Sequence, residues 1–281
     1  MENSILIQKF SDDLKIRHLS AKTITIYRGH LNLFLEYFKN DDITKLSSDK
    51  IKRFLISLID KKYSASFLKG VIGSLQNFYK YTLDIEWNYK NLPRPKLSKN
   101  LPTVLSENEI CTMIKQTENL KHKTLITVLY TTGVRIAELL NLQIGDIDSQ
   151  RMQLKVRGGK GNKDRYISLS KACLNLLREY WKKYLPKTWL FEGLKKNQQY
   201  SRTSTTIIVK RAAKKAGVTK NICIHTLRHT YATHLLENGI DIVLIKNFLG
   251  HSSLKSTMIY LQLRKLPDSD FQHPFDNYLK F

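Results

Sequence analysis

His225-Thr226-Leu227-Arg228-His229-Thr230-Tyr231-Ala232-Thr233-His234-Leu235-Leu236 is the stretch around which the chain is organised. The spacing predicts a helix over about 226–238, with His225 and Arg228 three positions apart at its start. Their side chains therefore point the same way. A planar guanidinium grips two oxygens of one anion, and an imidazole passes a proton near neutral pH. Alone, such a pair is more often a helix cap or a surface group. Downstream stand Leu249-Gly250-His251-Ser252-Ser253 and Thr257-Met258-Ile259-Tyr260. Upstream stand Thr132-Gly133-Val134-Arg135-Ile136-Ala137-Glu138-Leu139 and Gly159-Lys160-Gly161-Asn162-Lys163-Asp164-Arg165.

These outlying residues complete a chemical set. Arg135 follows Gly133 at the head of a short helix, where a second guanidinium could neutralise charge growing on the same anion. In isolation, an Arg135–Glu138 surface pair is the simpler expectation. Lys160 sits in a glycine turn, from which it could protonate a leaving oxygen or touch a phosphate. His251 ends a helix and could bond a phosphate oxygen or cap the last carbonyls. Tyr260 is one of 14 tyrosines, and burial is its default expectation. Its phenol becomes a usable nucleophile when guanidiniums stabilise the oxyanion and a base is near. Two arginines, two histidines, a lysine and a tyrosine suit a metal-free reaction at a phosphodiester. Zinc is the competing chemistry, since His225 and His229 are four apart. The glutamate of H-E-x-x-H is absent, however, and Arg228 between them repels a cation. No metal and no cofactor are expected.

The chain has 281 residues and a net charge of +23, with 42% hydrophobic and 25% charged residues. That length favours two domains, and that composition is globular. The basic excess occurs in residues 1–103 and again in the remainder, so each half is expected to meet a polyanion. Cys111, Cys173 and Cys223 form no C-x-x-C pair, so neither a disulfide framework nor a zinc ribbon is indicated. No signal peptide and no membrane-spanning run are seen; a cytoplasmic, nucleoid-associated protein is expected.

Three segments follow. Residues 1–90 read as four helices, with Ser20, Ser47 or Ser48, and Ser64 as caps. Residues 91–103 hold Pro93, Pro95 and Pro102 among basic residues and read as an extended linker. Residues 104–281 open with Ser106 and Glu109 at capping-box spacing. Helices are expected at about 107–117, 122–132, 170–185, 203–216, 226–238, 241–249 and 255–262, with a hairpin of 152–157 and 164–169. The fold class is mainly α with a small antiparallel β-sheet. Residues expected to face DNA phosphates are Lys22, Thr23, Arg28, Ser66, Lys69, Lys163, Arg165 and Arg202.

The five motifs, in this order, resemble the tyrosine recombinase (phage integrase) family over nearly the whole chain. The resemblance implies a SAM-like core-binding domain followed by a catalytic domain, and a DNA recombinase needing neither ATP nor metal. Tyr260 would attack a phosphodiester and form a 3′-phosphotyrosyl link. Arg135 and Arg228 would hold the phosphate, and Lys160 would protonate the 5′ oxygen. His225 would be acid–base for the tyrosine, with His251 at a nonbridging oxygen. His229 and His234 are expected to be structural. Double-stranded DNA with paired inverted core sites and a homotetramer on a Holliday junction are the implied partners. The N-terminal helices would clamp the DNA, and C-terminal segments would be exchanged between protomers.

The subtype is read from the end of the chain. The proline-interrupted segments Leu266–Phe271 and His273–Asp276 are similar to tails of mobile-element integrases. The helical insertion of integron integrases is absent. A transposon or genomic-island integrase is expected first. A Xer-type resolvase of chromosome dimers and a non-cutting accessory homologue are the alternatives.

Overall fold

A computed structural model of the chain describes residues 3–87, 92, 95, 101–158, 164–195 and 197–264. Lys160, Lys163, most of the linker expected at 91–103 and the tail beyond Arg264 lie outside the described residues. The chain divides into two compact units, Met1–Lys99 and Asn100–Phe281.

The first unit is built from α1 (Asn3–Ile16), α2 (Ala21–Tyr37), α3 (Ser48–Asp60) and α4 (Ala65–Tyr81). Three serines start the last three helices. The hydroxyls of Ser20, Ser47 and Ser64 accept from the N–H groups of Thr23, Lys50 and Phe67. Each such cap contributes ~1 kcal/mol and fixes where a helix begins. The apolar faces close on Phe10, Leu31, Phe34, Phe54, Val71 and Phe78. Gly70 lets α2 and α4 approach closely, because a Cβ there would meet the buried His30 ring at 2.9 Å.

The second unit holds α5 (Glu107–Lys115), α6 (Leu120–Thr132), α7 (Ile136–Leu140), α8 (Lys171–Tyr184), α9 (Arg202–Lys215), α10 (Ile224–Glu237), α11 (Ile242–Leu249) and α12 (Ile259–Leu263). Ser106 and Glu109 form the expected reciprocal cap of α5. An antiparallel sheet runs β1 (Ile147–Asp148), β2 (Gln153–Val156), β3 (Arg165–Ser168) in that order. Leu154 pairs with Ile147 on one side and Ile167 on the other, and Leu154, Val156 and Ile167 face the core. β1 has no counterpart in the sequence reading, since two residues carry no periodicity.

α6 and α10 pack against each other and carry the site. α6 is buried on most of its surface, threonines included. The hydroxyls of Thr124 and Thr132 donate to Leu120 O and Val128 O at 2.7 and 2.6 Å, so burial leaves them satisfied. On α10, Thr230 accepts from Leu105 N at 3.1 Å, and His234 Nε2 donates to Leu105 O at 3.0 Å. Tyr130 hydroxyl then donates to His234 Nδ1 at 2.9 Å. His234 is thus a structural histidine, as expected.

Candidate active site

Gly133 ends α6 in the left-handed region, at φ 59°. A Cβ there would also lie 2.5 Å from the Tyr231 ring, so glycine is required on two counts. The sharp turn places Arg135 at the N-cap of α7 and turns the Gly133 carbonyl toward α10. Arg228 meets it: Nη1 donates to Gly133 O at 2.6 Å, and Nη2 donates to Leu249 O at 2.7 Å. Arg228 as a whole residue is 4% exposed. Burial, then the neighbouring Arg135 charge, lowers its pKa to about 10, which still leaves it charged at neutral pH.

Three arginines converge on the end of α11. Arg165 Nε donates to Phe248 O at 2.8 Å, Arg228 to Leu249 O, and Arg135 Nη2 to Gly250 O at 3.2 Å. Helix C-terminal carbonyls lack intrahelical partners and carry the negative end of the dipole, so cations belong there. Gly250 turns the chain at φ 62°, and a Cβ would press on the Arg165 side chain at 3.0–3.1 Å. Glu138 neutralises the cluster. It accepts from Arg165 at 3.0 and 2.7 Å, from Arg135 Nη1 at 2.8 Å and from Arg135 N at 2.8 Å. Burial raises the Glu138 pKa, but Arg165 and the Arg135 backbone win and hold it at about 2.

Tyr260 lies beyond this anchor on α12 and is 1% exposed. Its hydroxyl is 3.2 Å from His229 Nδ1. Its ring stacks on His251, with centroids 6.4 Å apart and planes at 13°. His251 Nδ1 in turn bonds the Thr257 hydroxyl at 2.9 Å. Burial raises the Tyr260 pKa, while Arg228 and Arg135 pull it back down. His251 is pushed to about 4 by burial and then by Arg228 and Arg135. His225 is exposed at the α10 start; the protein beneath it, then Arg228, Arg202 and Arg135, lowers its pKa.

Arg135, His225, Arg228, His251 and Tyr260 therefore share one site, each within the electrostatic reach of the arginines. One expectation needs correction, and one residue has a contact the sequence did not suggest. Arg165, expected to face DNA, has a side chain only 10% exposed, spent on Glu138 and Phe248. His229, expected to be structural, is the group touching the Tyr260 hydroxyl. Its signal was the four-residue spacing from His225, which puts both on one helix face. Lys160 and Lys163 lie outside the described residues; Asp164, which follows them, accepts from Gly158 N at 3.0 Å. Arg202 is exposed at the start of α9, near His225. In the first unit Lys22, Arg28, Ser66 and Lys69 are exposed on α2 and α4, and Thr23 is half-buried with its hydroxyl 2.8 Å from that of Ser20.

Comparison with known proteins gives concordant matches. Residues 103–266 match the Phage integrase family, and residues 6–89 match the Phage integrase, N-terminal SAM-like domain. A putative integrase/recombinase, y4qK of Sinorhizobium fredii, is 36% identical over 92% of this chain and 84% of its own length. Tyrosine recombinase XerA of Pyrococcus horikoshii is 36% identical over 93% of this chain and 90% of its own. Among solved structures, XerH site-specific recombinase bound to palindromic difH substrate in a post-cleavage complex matches with TM-score 0.75 and 25% identity. That match covers 90% of this chain and 80% of the XerH chain.

Proposed function

The chain belongs to the phage integrase family of tyrosine recombinases, which cut and rejoin DNA, and on that premise we propose how this site does so. Tyr260 attacks a DNA phosphodiester and forms a 3′-phosphotyrosyl link. The bond energy is conserved in the link, so religation needs no ATP. Arg228 keeps N–H groups beyond those given to Gly133 and Leu249, and these bind the nonbridging oxygens. Arg135 supplies the second positive charge, and with Arg228 does the work a metal does elsewhere. Lys160 protonates the 5′ oxygen. His225 and His251 add N–H donors to the phosphate as charge accumulates.

The observation that carries this function is the burial of the Tyr260 hydroxyl beside an imidazole, within the field of two arginines. A phenol needs both to act as a nucleophile. The test is a nicked duplex that traps the covalent species. Tyr260→Phe, which removes one hydroxyl, should abolish the denaturant-stable adduct and leave DNA affinity nearly unchanged. An adduct from the variant would mean that another residue attacks.

The exchange proceeds on double-stranded DNA with paired inverted core sites, through a Holliday junction held by four copies of the chain. The work served is that of a transposon or genomic island. The proline-interrupted tail and the similarity to y4qK, named an integrase/recombinase, support this. Resolution of chromosome dimers is the second reading, favoured by the similarity to XerA. Sequencing the DNA fragments the protein protects separates the two. Sites at the ends of a mobile element fit the first, and one chromosomal site fits the second.

A further inference from the structure

Tyr260 is buried and its pKa is raised, so its phenol is protonated at neutral pH and must lose a proton during attack. The resemblance assigns that proton to His225. The geometry does not favour that choice. His225 stands at the exposed start of α10, with its ring centroid 6.5 Å from that of His229. His229 lies one turn further in, and its Nδ1 is the atom at hydrogen-bond distance from the Tyr260 hydroxyl, 3.2 Å. His251 is a poorer acceptor. Its ring lies nearly parallel to the tyrosine ring, and its Nδ1 is engaged by Thr257.

We infer that His229 is a catalytic residue: its Nδ1 takes the phenol proton as Tyr260 attacks phosphorus, and returns it when the tyrosine leaves. This rests on the recombinase function proposed above. In the forward step the bond from the tyrosine oxygen to phosphorus forms and the bond from phosphorus to the 5′ oxygen breaks. The 5′ oxygen keeps that electron pair and takes a proton from the leaving-side acid, the role given to Lys160. The phenol proton ends on His229. Religation reverses each transfer.

The surroundings suit a base that must be empty first and stronger later. The charged and titratable groups facing His229 are His225 and Arg228 from α10, Tyr260 from α12, and His251 ahead of it. Burial, then His225 and Arg228, holds the His229 pKa at about 4, so the imidazole is neutral across the neutral range, and in the tautomer with its N–H on Nε2 it offers the Nδ1 lone pair to the Tyr260 hydroxyl. A phosphate between Arg135 and Arg228 offsets their charge. His229 then gains basicity as negative charge builds in the transition state.

The test uses the full chain, a nicked trapping duplex, and a second duplex whose scissile 5′ oxygen is replaced by sulfur. A thiolate leaves without a proton, so the sulfur substrate isolates the nucleophile side. In His229→Asn the amide oxygen occupies the place of Nδ1 and can accept the hydrogen bond, but cannot take the proton. Adduct formation should fall about 10²–10⁴-fold on both substrates, with unchanged DNA affinity. A rate within threefold of wild type, or recovery on the sulfur substrate, overturns the inference. So does a loss of DNA affinity matching the loss of rate. If His229→Asn does not fold, the wild-type chain decides. Its rate on the sulfur substrate must fall as pH drops toward about 4, where His229 takes up a proton, and a rate flat from about pH 7 down to 4 overturns the inference. A wild-type chain that forms no adduct at all would sink the recombinase function instead, a separate outcome.

Discussion

At the residue scale, burial first and the neighbouring charges second set the protonation of the histidines in the site. In the free chain His229 and His251 have pKa values near 4 and His225 is lowered too, with burial as the first cause of each. Unfolded histidine titrates near ~6.5. Their folded pKa values are depressed, so the neutral imidazoles contribute stability that is fully present above about 6.5. That contribution is lost as pH falls through about 4. Melting temperature should therefore fall across this window, and His251→Asn should flatten part of the fall. DNA has the opposite effect, because phosphate favours the imidazolium. Binding near pH 6 should take up protons, visible as a binding enthalpy that changes with the buffer's ionisation enthalpy. Identical enthalpies in phosphate and Tris buffers would show that the histidines do not meet the phosphate. The site's arginines make the metal question testable. Cleavage should persist in saturating EDTA, since Arg135 and Arg228 provide the positive charge. Loss on chelation with recovery in magnesium would refute that account.

At the element scale, the decisive contact is the end of α11, where Phe248, Leu249 and Gly250 each give a carbonyl to a different arginine. His251 and α12 follow directly, so this anchor fixes where Tyr260 starts from. Glu138 holds the anchor's charge. Glu138→Gln keeps the shape but leaves Arg165 buried without its counter-ion, and should cost about 3–5 kcal/mol in a denaturant titration. A cost under about 1 kcal/mol would mean that the pair is dispensable. Glu138 has a folded pKa of about 2, below its unfolded value, so its contribution is complete above about 4.5 and disappears as pH falls toward 2. Much of this level was legible in the sequence. Ser20, Ser64 and Ser106 mark helix starts, and Gly133 and Gly250 mark helix ends, because capping is local chemistry. Arg165 was not legible. It looked like one more cation of a basic hairpin, and its partners lie 27 residues upstream and 83 downstream. The role of His229 was hidden for the same reason. Helical spacing puts it beside His225, but only the tertiary fold brings Tyr260 against it.

At the scale of the whole molecule, two cores form within one chain. One gathers around Phe34 and Phe78 in the first unit, the other around Leu129 and Leu227 in the second. The first was readable from helical periodicity; α6 and α10, buried on most of their surface, carry little of it, and the two-residue β1 carries none. The charge of +23 is divided between these units, and the surface cations of the first give a way to test what it is for. Lys15, Lys45 and Lys50 are paired with Asp12, Asp42 and Asp41. Among the described residues, Lys22, Arg28 and Lys69 on α2 and α4 have no carboxylate partner and are exposed. Lys22 stands in the first turn of α2, Lys69 in the second turn of α4 and Arg28 midway along α2, and exposed cations without a carboxylate suit a phosphate backbone. Each phosphate neutralised releases condensed counterions, so affinity should fall steeply with salt, by about 10³–10⁵ between 50 and 200 mM if 6–10 phosphates are met. Because both units carry the excess, fragments 1–99 and 100–281 should each bind duplex DNA at low salt. Each should have a shallower salt slope than the whole chain, and the two slopes should sum to about the full one. Lys22→Ala with Lys69→Ala should reduce the slope of the first fragment by about 2 and leave that of the second unchanged. If fragment 1–99 folds but shows no affinity at low salt, its basic face is only solubility charge. DNA engagement would then belong to the catalytic unit alone.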